Sequence, residues 1–303
     1  MKKTPALRRA LLAWYERFGR HTLPWRVDHT PYRVLVSEFM LQQTQVDRVL
    51  PLFNAFVKRW PDFAALANAS RADVVRAWQG LGYNSRAIRL HASAQEVVTN
   101  FGGELPRKVE NLSGLPGVGP YTLRAIRAFA FEDDEVAVDT NVRRIVHRVV
   151  AGIEWPPKLS AQEIDTAAIE MLPRGRAFAW NSALMDLGST ICTARAPKCL
   201  VCPLRENCAA APIDAAVLEQ HARRHSPVRG PQSTLPFERT RRYLRGRIVD
   251  RLRELEHPET LTLEDLHAEL PGPDRTRAEL AAVVEDLVRD GLLERVRNRF
   301  RLA

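Results

Sequence analysis

Apolar residues recur at helical spacing through most of the first 210 residues. Leu7–Phe18 shows the repeat, and Tyr32–Met40 opens another helix after Pro31, a residue suited to a first helical turn. Ser70, Ser85 and Ser160 stand where a side chain can cap helices over Arg71–Trp78, Arg86–Phe101 and Ala161–Met171. No period-2 alternation is sustained here, so few strands are expected. The region is too long for a simple bundle and shows no repeat at a fixed period.

The pattern breaks after Cys208. Ala209 to Ala216 is alanine-rich, and Gln220–Thr240 has the Arg, His, Ser, Pro and Gly content of a linker. From His221 to Arg253 there are ten arginines against two acids, Glu238 and Asp250. That run reads either as a solvated connector or as an arm lying along phosphates. Regularity returns at Arg241: an amphipathic helix over Tyr243–Leu255, then Leu263–Glu269 and Arg277–Asp290 with Thr262 and Thr276 as caps. Gly291 stops the last of these, and residues 293–302 read as a short hairpin turning near Asn298. Three helices and a hairpin resemble a winged helix, a fold that serves DNA in some proteins and other proteins elsewhere. The chain therefore divides into a core over residues 1–212, a basic connector over 213–240 and a winged-helix-like domain over 241–303.

Composition narrows the class. At 45% hydrophobic and 27% charged residues the 303-residue chain can bury a core and is not of disordered type. No run approaches 18 apolar residues, so no membrane partner is expected, and Met1-Lys2-Lys3-Thr4-Pro5 lacks a signal peptide's apolar centre. Lys and Arg number 45 against 36 Asp and Glu, a net charge of +9 that suits a polyanion binder or a solvated basic surface. The four cysteines all fall between Cys192 and Cys208, which argues for a metal site in a reducing compartment rather than disulfide staples.

Four segments carry candidate chemistry. Leu115-Pro116-Gly117-Val118-Gly119 lies between helical stretches, with Pro120-Tyr121-Thr122 opening the next helix. Such a turn exposes backbone N–H groups to a phosphate, or is a plain helix–turn–helix corner. Asp139, in Val138-Asp139-Thr140-Asn141-Val142, falls at a helix N-cap, which is structural unless a second carboxylate or an electron-poor ligand is near. Glu38 is flanked by Val34, Leu35, Val36, Phe39, Met40 and Leu41, so it is either a surface helix residue or a partly desolvated carboxyl able to hold a proton as a general acid. The amides and hydroxyl of Gln42-Gln43-Thr44-Gln45 behind it suit a base stack or a groove edge. The cysteine spacing C-x6-C-x2-C-x5-C has one C-x2-C knuckle where a zinc ribbon has two, so a [4Fe–4S] cluster suits it better than zinc, and Arg195 and Lys198 place two positive charges beside it.

From about Leu23 to Cys208 the chain resembles the helix–hairpin–helix DNA glycosylases that carry an iron–sulfur cluster, and within them the adenine glycosylases of the MutY type. The matching blocks are Leu23-Pro24-Trp25-Arg26, Ser37-Glu38 with Met40–Gln45, Gly80-Leu81-Gly82-Tyr83, Leu115–Tyr121, Val138-Asp139 with Asn141-Val142, and Met185-Asp186-Leu187-Gly188. The resemblance implies an all-α, two-lobed core: a helical barrel lobe over about residues 27–137, and an iron–sulfur lobe from residues 1–26 and 138–212 with the cluster loop at 192–208. The target adenine would be flipped from duplex DNA, Glu38 protonating its ring and Asp139 stabilising the oxocarbenium-like sugar. Tyr121 stands where strand-cleaving relatives such as endonuclease III have a Schiff-base lysine, implying base release without efficient strand cleavage. Trp25, Arg26 and Leu41 would line the adenine pocket. Gln43 and Tyr83 would wedge into the duplex and meet the opposite base, and Gln42 and Thr44 would bind DNA. Leu115, Gly117, Val118, Gly119, Asn141, Arg195 and Lys198 would contact DNA, and Cys192, Cys199, Cys202 and Cys208 would hold the cluster.

The expected substrate is adenine opposite 8-oxoguanine or guanine, the partner a duplex bearing that mispair, the state a monomer and the location the cytoplasm, at the nucleoid. A thymine, uracil or hypoxanthine mismatch glycosylase is the alternative within the superfamily, but such relatives carry Arg where Gln42 and Gln43 stand. A non-catalytic DNA-binding protein is the alternative from another class, and retention of Glu38 and Asp139 argues against it. Three departures stand out: Asn84 where the family has a bulky residue, Ser182 where some members place an acid or amide, and His21 ahead of Leu23. The tail does not resemble the Nudix-like domain of many members.

Overall fold

The computed structural model describes residues 4–225, 236–256, 258–270 and 276–303. These are mostly helical, with three short strands confined to the C-terminal tail. Two compact units result. The first comprises Met1–Leu35, Arg107–Gly114 and Val118–Arg229; the second comprises Val36–Pro106, Leu115–Gly117 and Gly230–Ala303.

In the first unit, helix Thr4–Phe18 buries Leu7, Leu11 and Tyr15 in a core shared with helices Thr140–Ala151, Ala161–Met171 and Ala177–Thr190. Trp180, Leu184 and Leu187 fill its centre beside Val142, Ile145 and Val146. Ser160 and Glu163 form a reciprocal capping box, which fixes the start of Ala161–Met171 where the sequence places it. At the other end, Arg8 donates to the carbonyls of Glu170, Met171 and Leu172 at 2.8–3.0 Å, satisfying acceptors that the helix itself leaves open. Helix Ala215–His225 occupies part of the expected connector and buries Leu218. Residues 226–235, with Arg229 of the arginine run, lie outside the described residues.

The second unit buries Phe53, Phe56 and Trp78, with Phe56 meeting Trp60 and Trp78 edge to face. Helix Arg71–Ala77 is capped by Ser70, whose hydroxyl accepts from the Asp73 N–H at 3.0 Å. The expected cap at Ser85 is corrected. Ser85 is the first residue of helix Ser85–Phe101, and Asn84 occupies the N-cap without a side-chain cap bond. The Asn84 side chain is turned elsewhere: its Oδ1 accepts from Nη2 of Arg253 in the tail at 2.8 Å.

The tail consists of helices Arg241–Arg253, Leu263–Glu269 and Arg277–Arg289 with an antiparallel sheet of order β1-β3-β2. Strand β1 is Leu261–Thr262, β2 is Leu293–Val296 and β3 is Arg299–Leu302. The turn falls at Arg297-Asn298, with Arg297 at φ 59°. Gly291 takes φ 72°, and the Leu292 N–H returns to the Leu287 carbonyl at 2.9 Å, closing the helix end. The tail core includes Val75 of helix Arg71–Ala77, and Ala72 and Ile88 pack against it. Arg76 donates to the Leu255 carbonyl at 3.0 Å and Arg253 to the Val75 carbonyl at 3.2 Å.

Candidate functional site

Helix Pro31–Leu41 carries Glu38, which is buried at 8% exposure on a helix whose Val36 and Phe39 are also buried. Leu41 ends that helix, and Gln42, Gln43 and Thr44 follow in a turn. Gln43 takes φ 59° and Tyr83 φ 46°. Non-glycine residues rarely occupy this left-handed region, and such strain persists only where neighbours fix the backbone. The fixing group here is Arg86.

Arg86 is 5% exposed, and its guanidinium reaches two segments distant in sequence. Nη1 donates to the carbonyls of Phe39 at 2.8 Å, Met40 at 2.9 Å and Gln42. Nη2 donates to Leu81 O at 2.9 Å, Gly82 O at 3.0 Å and the Thr44 hydroxyl at 3.1 Å. A planar fork of N–H donors suits this convergence of acceptors. Burial disfavours its charge, opposed by the charge of Tyr83, and the group falls to about 10, still well above neutral pH. One buried cation thus ties the Gln43 turn to the Gly80–Tyr83 loop, with Tyr83 left 46% exposed.

The glycines of the Leu115–Gly119 turn have different reasons. Gly117 takes φ 84°, and a Cβ there would meet the Phe39 ring at 2.8 Å. Gly119 has φ −86° and ψ 179° as the N-cap of helix Pro120–Phe129, and a Cβ there would meet nothing within 4 Å. Internal sterics require the first glycine and leave the second unexplained. Leu115 and Val118 are buried, and Ser93 donates to the Pro116 carbonyl at 2.6 Å. Tyr121 is the second residue of that helix, half-buried.

In the first unit, Asp139 is the N-cap of Thr140–Ala151. Its Oδ1 accepts from the N–H groups of Asn141 at 2.8 Å and Val142 at 2.7 Å, and its Oδ2 from Asn141 Nδ2 at 2.9 Å. Asn141 Oδ1 in turn accepts from Arg144 Nη2 at 2.9 Å, and Arg144 also donates to the carbonyls of Gly188 and Cys192 at 2.8 Å each. A hydrogen-bonded chain thus runs from the Asp139 carboxylate to the first cysteine. Gly188 makes room for it, since a Cβ there would meet Asn141 Cβ at 2.7 Å.

Trp25 is buried at 8% exposure, and Arg26 is bound twice to Asp186, at 2.8 and 3.1 Å. Arg20 adds a 2.6 Å bond to the same carboxylate. Burial raises the Asp186 carboxyl's proton affinity, but the Arg26 hydrogen bonds and charge, with those of Arg20, outweigh it and hold the group below its usual range. Ser182 is wholly buried, and its hydroxyl has no hydrogen-bond partner among the described residues.

Cys192, Cys202 and Cys208 pack against the first unit's core, and all four thiols are free and half-buried. Burial pushes the Cys202 thiol up to about 11; a Leu204 backbone bond opposes this, while Cys192, Cys208 and Cys199 raise it further. Cys208 is raised by burial too, against bonds from Ala210 and Ala211, with Cys192 and Cys199 adding to the rise. Three of the thiols pack on one core and burial resists the ionisation of two of them, so the set has the chemistry of a thiolate-bound metal group, whose charge would offset that burial. Among the described residues no three His, Cys, Asp or Glu side chains close on a single ion. Arg148, 0% exposed, lies against the loop: Nη1 is 3.5 Å from Cys192 Sγ and 2.8 Å from the Thr193 carbonyl, and Glu154 neutralises it at 2.6 Å. Arg195 and Lys198 are exposed.

Sequence reasoning missed Arg86, Arg144 and Arg148. The available signals were the place of Arg86 just behind the Gly80–Tyr83 block and the one-turn spacing of Arg144 and Arg148 on the helix that Asp139 caps. Among the described residues no helix is long and apolar enough to cross a membrane.

Residues 36–168 match the model of the HhH-GPD superfamily of base excision DNA repair proteins. The chain is 39% identical over 297 residues to the adenine DNA glycosylase of Mycolicibacterium smegmatis, covering 97% of this chain and 94% of that protein. It is 42% identical over 296 residues to the adenine DNA glycosylase of Mycobacterium tuberculosis strain H37Rv, covering 96% and 92%. Both alignments therefore run through the tail. A solved structure of a thermostable thymine-DNA glycosylase superposes with a TM-score of 0.62 at 27% identity, over 69% of this chain and 96% of the other.

Proposed function

This chain belongs to the adenine DNA glycosylase family within the HhH-GPD superfamily of base excision DNA repair proteins, and on that footing we propose that it hydrolyses the glycosidic bond of adenine mispaired with 8-oxoguanine or guanine in duplex DNA. The observation that carries the reading is a pair of carboxylates in contrasting surroundings: Glu38 buried near the end of an apolar helix, and Asp139 at a helix N-terminus held by three N–H donors. Burial favours the protonated form of a carboxyl, which suits Glu38 to donate a proton to the departing adenine. Asp139, which only accepts in its hydrogen bonds, serves as the anion that stabilises positive charge on the sugar while water adds. Asn141 and Arg144 act through Asp139 as positioning residues.

Tyr121 offers no amine, so adenine leaves, the sugar remains in the strand as an abasic site and the strand stays intact. Trp25, Arg26 and Leu41 each act on the flipped adenine, Arg26 held in place by its pair with Asp186. Gln43 and Tyr83 enter the duplex, with Gln42 and Thr44 against the DNA beside them, while the backbone of residues 115–119, with Asn141, Arg195 and Lys198, grips phosphates. The openness around Gly119 supports close approach of a DNA backbone there.

Cys192, Cys199, Cys202 and Cys208 would hold a [4Fe–4S] cluster, whose contribution is structural, fixing the 192–208 loop and the charges it presents. The chain works as a monomer in the cytoplasm, on nucleoid DNA. Duplexes bearing A:8-oxoguanine, A:G, T:G, U:G or A:T, incubated with the protein and then treated with hot alkali, test the reading. Alkali-dependent cleavage at the adenine mispairs alone is expected; none at either mispair overturns it.

A further inference from the structure

The arginines of the tail's first helix divide by partner. Arg241 pairs with Asp286, Arg245 with Asp290, Arg251 with Glu269 and Arg253 with Asp250. Arg242 and Arg247 are exposed and have no acidic partner among the described residues. Both line a cleft of about 1080 Å³ within the second unit. Arg48 lines the same cleft from helix Val46–Arg59 and is likewise exposed and unpaired among the described residues. The Gln43 turn and the Gly80–Ser85 loop form its other side.

Charge in this cleft is one-sided. Five arginines line it against a single carboxylate, Asp250, which Arg253 neutralises. A concave surface of one sign focuses its field and concentrates the counter-charge. Its volume stands at the upper end of the roughly 300–1,000 Å³ of ordinary ligand clefts, roomy enough for a segment of an extended chain. Arg242 lies 4.5 Å over the ring of Tyr83, so a guanidinium travels with one of the two residues whose strained backbone Arg86 fixes.

We propose that this cleft is a DNA-backbone site, in which Arg48, Arg242 and Arg247 hold phosphates of the strand that Gln43 and Tyr83 enter. The tail is then a working half of the DNA grip. The proposal rests on the glycosylase reading for the identity of the polyanion.

The test uses the full chain and a labelled duplex whose target adenosine, opposite guanine, carries a 2′-fluorine that resists cleavage. Affinity is measured against salt. Each phosphate contact contributes about 0.9 to the slope of log K against log salt. The double variant R242A/R247A should flatten the slope by about 1.8 and weaken binding at least tenfold at low salt, two contacts' worth on the same scale. R48A, which leaves the tail's sequence intact, should flatten it by about 0.9. R277A/R295A removes equal charge from ion-paired positions of the tail outside the cleft and should leave the slope unchanged. Wild-type slopes in R242A/R247A and R48A, or an equal loss in R277A/R295A, overturn the proposal. Adenine release by the wild-type chain from the unmodified mispair is scored separately. A chain that binds through the cleft yet releases nothing overturns the functional reading and leaves the cleft standing.

Discussion

Arg26 and Asp186 are joined at two points, Nη1 to Oδ2 at 2.8 Å and Nη2 to Oδ1 at 3.1 Å, with both side chains at 8% exposure or less. Removing one partner of a buried pair strands the other's charge, at a cost of about 3–5 kcal/mol. Asp186→Asn should lower stability by that order near neutral pH, read by chemical denaturation. The Asp186 carboxyl lies below its ordinary value in the folded chain, so the folded form binds fewer protons than the unfolded form in acid. This part of the stability is complete above the unfolded carboxyl's value of about 3.9 and is lost as pH falls through the folded one. The gap between wild type and variant should therefore close in strong acid. A gap independent of pH contradicts the assignment.

The two hairpin glycines should separate stability from binding. Gly117→Ala forces a Cβ against Phe39 at a positive φ, and should destabilise the chain by about 1–3 kcal/mol. Gly119→Ala meets open space at an ordinary φ and should leave the unfolding midpoint within about 0.5 kcal/mol of wild type. Its effect should instead appear as weaker duplex binding, because the methyl stands where a phosphate would approach. Equal stability loss in both variants contradicts this division.

Arg86→Lys keeps a positive charge but replaces a planar fork with a point charge. Lysine cannot serve carbonyls on both segments at once, so Gln43 and Tyr83 lose the group that fixes their backbone. We expect a folded variant with adenine release slowed at least tenfold and with faster amide exchange at residues 42–44 and 81–83. Unchanged exchange at both segments contradicts the clamp.

Iron chelation, followed by loss of visible absorbance, should lower the protection of residues 192–208 from protease and selectively expose the first unit's loop. Cys199→Ser should reproduce the loss. Full visible absorbance in Cys199→Ser, or a loop equally protected without iron, contradicts a cluster held by the four cysteines.

Elements with a side-chain signal at their start were legible in the sequence. Ser160, Thr262 and Thr276 each form a capping box, and the helices behind them begin where expected. Asp139 showed its N-cap position for the same local reason. Ser85 misled because its neighbour Asn84 is recruited by Arg253, a tertiary contact from 169 positions away that no local rule contains. Strand β1 is two residues long and has no periodicity to read. The buried arginines were hidden because arginine is typed as a surface residue, and what buries Arg86 is a convergence of carbonyls, one of them Met40 O, 46 positions before it in the chain. The clustering of four cysteines over residues 192–208 was legible in the sequence, while the Arg148–Glu154 pair beside that loop came only from the fold.

The central claim is that Glu38 supplies the proton for adenine release. Single-turnover release from an A:8-oxoguanine duplex, measured for wild type and Glu38→Gln with Kd determined in parallel, tests it most directly. Wild-type affinity is expected in the variant, with release slowed by about 10²–10⁴, the range of a lost general acid. Release at the wild-type rate from Glu38→Gln contradicts it.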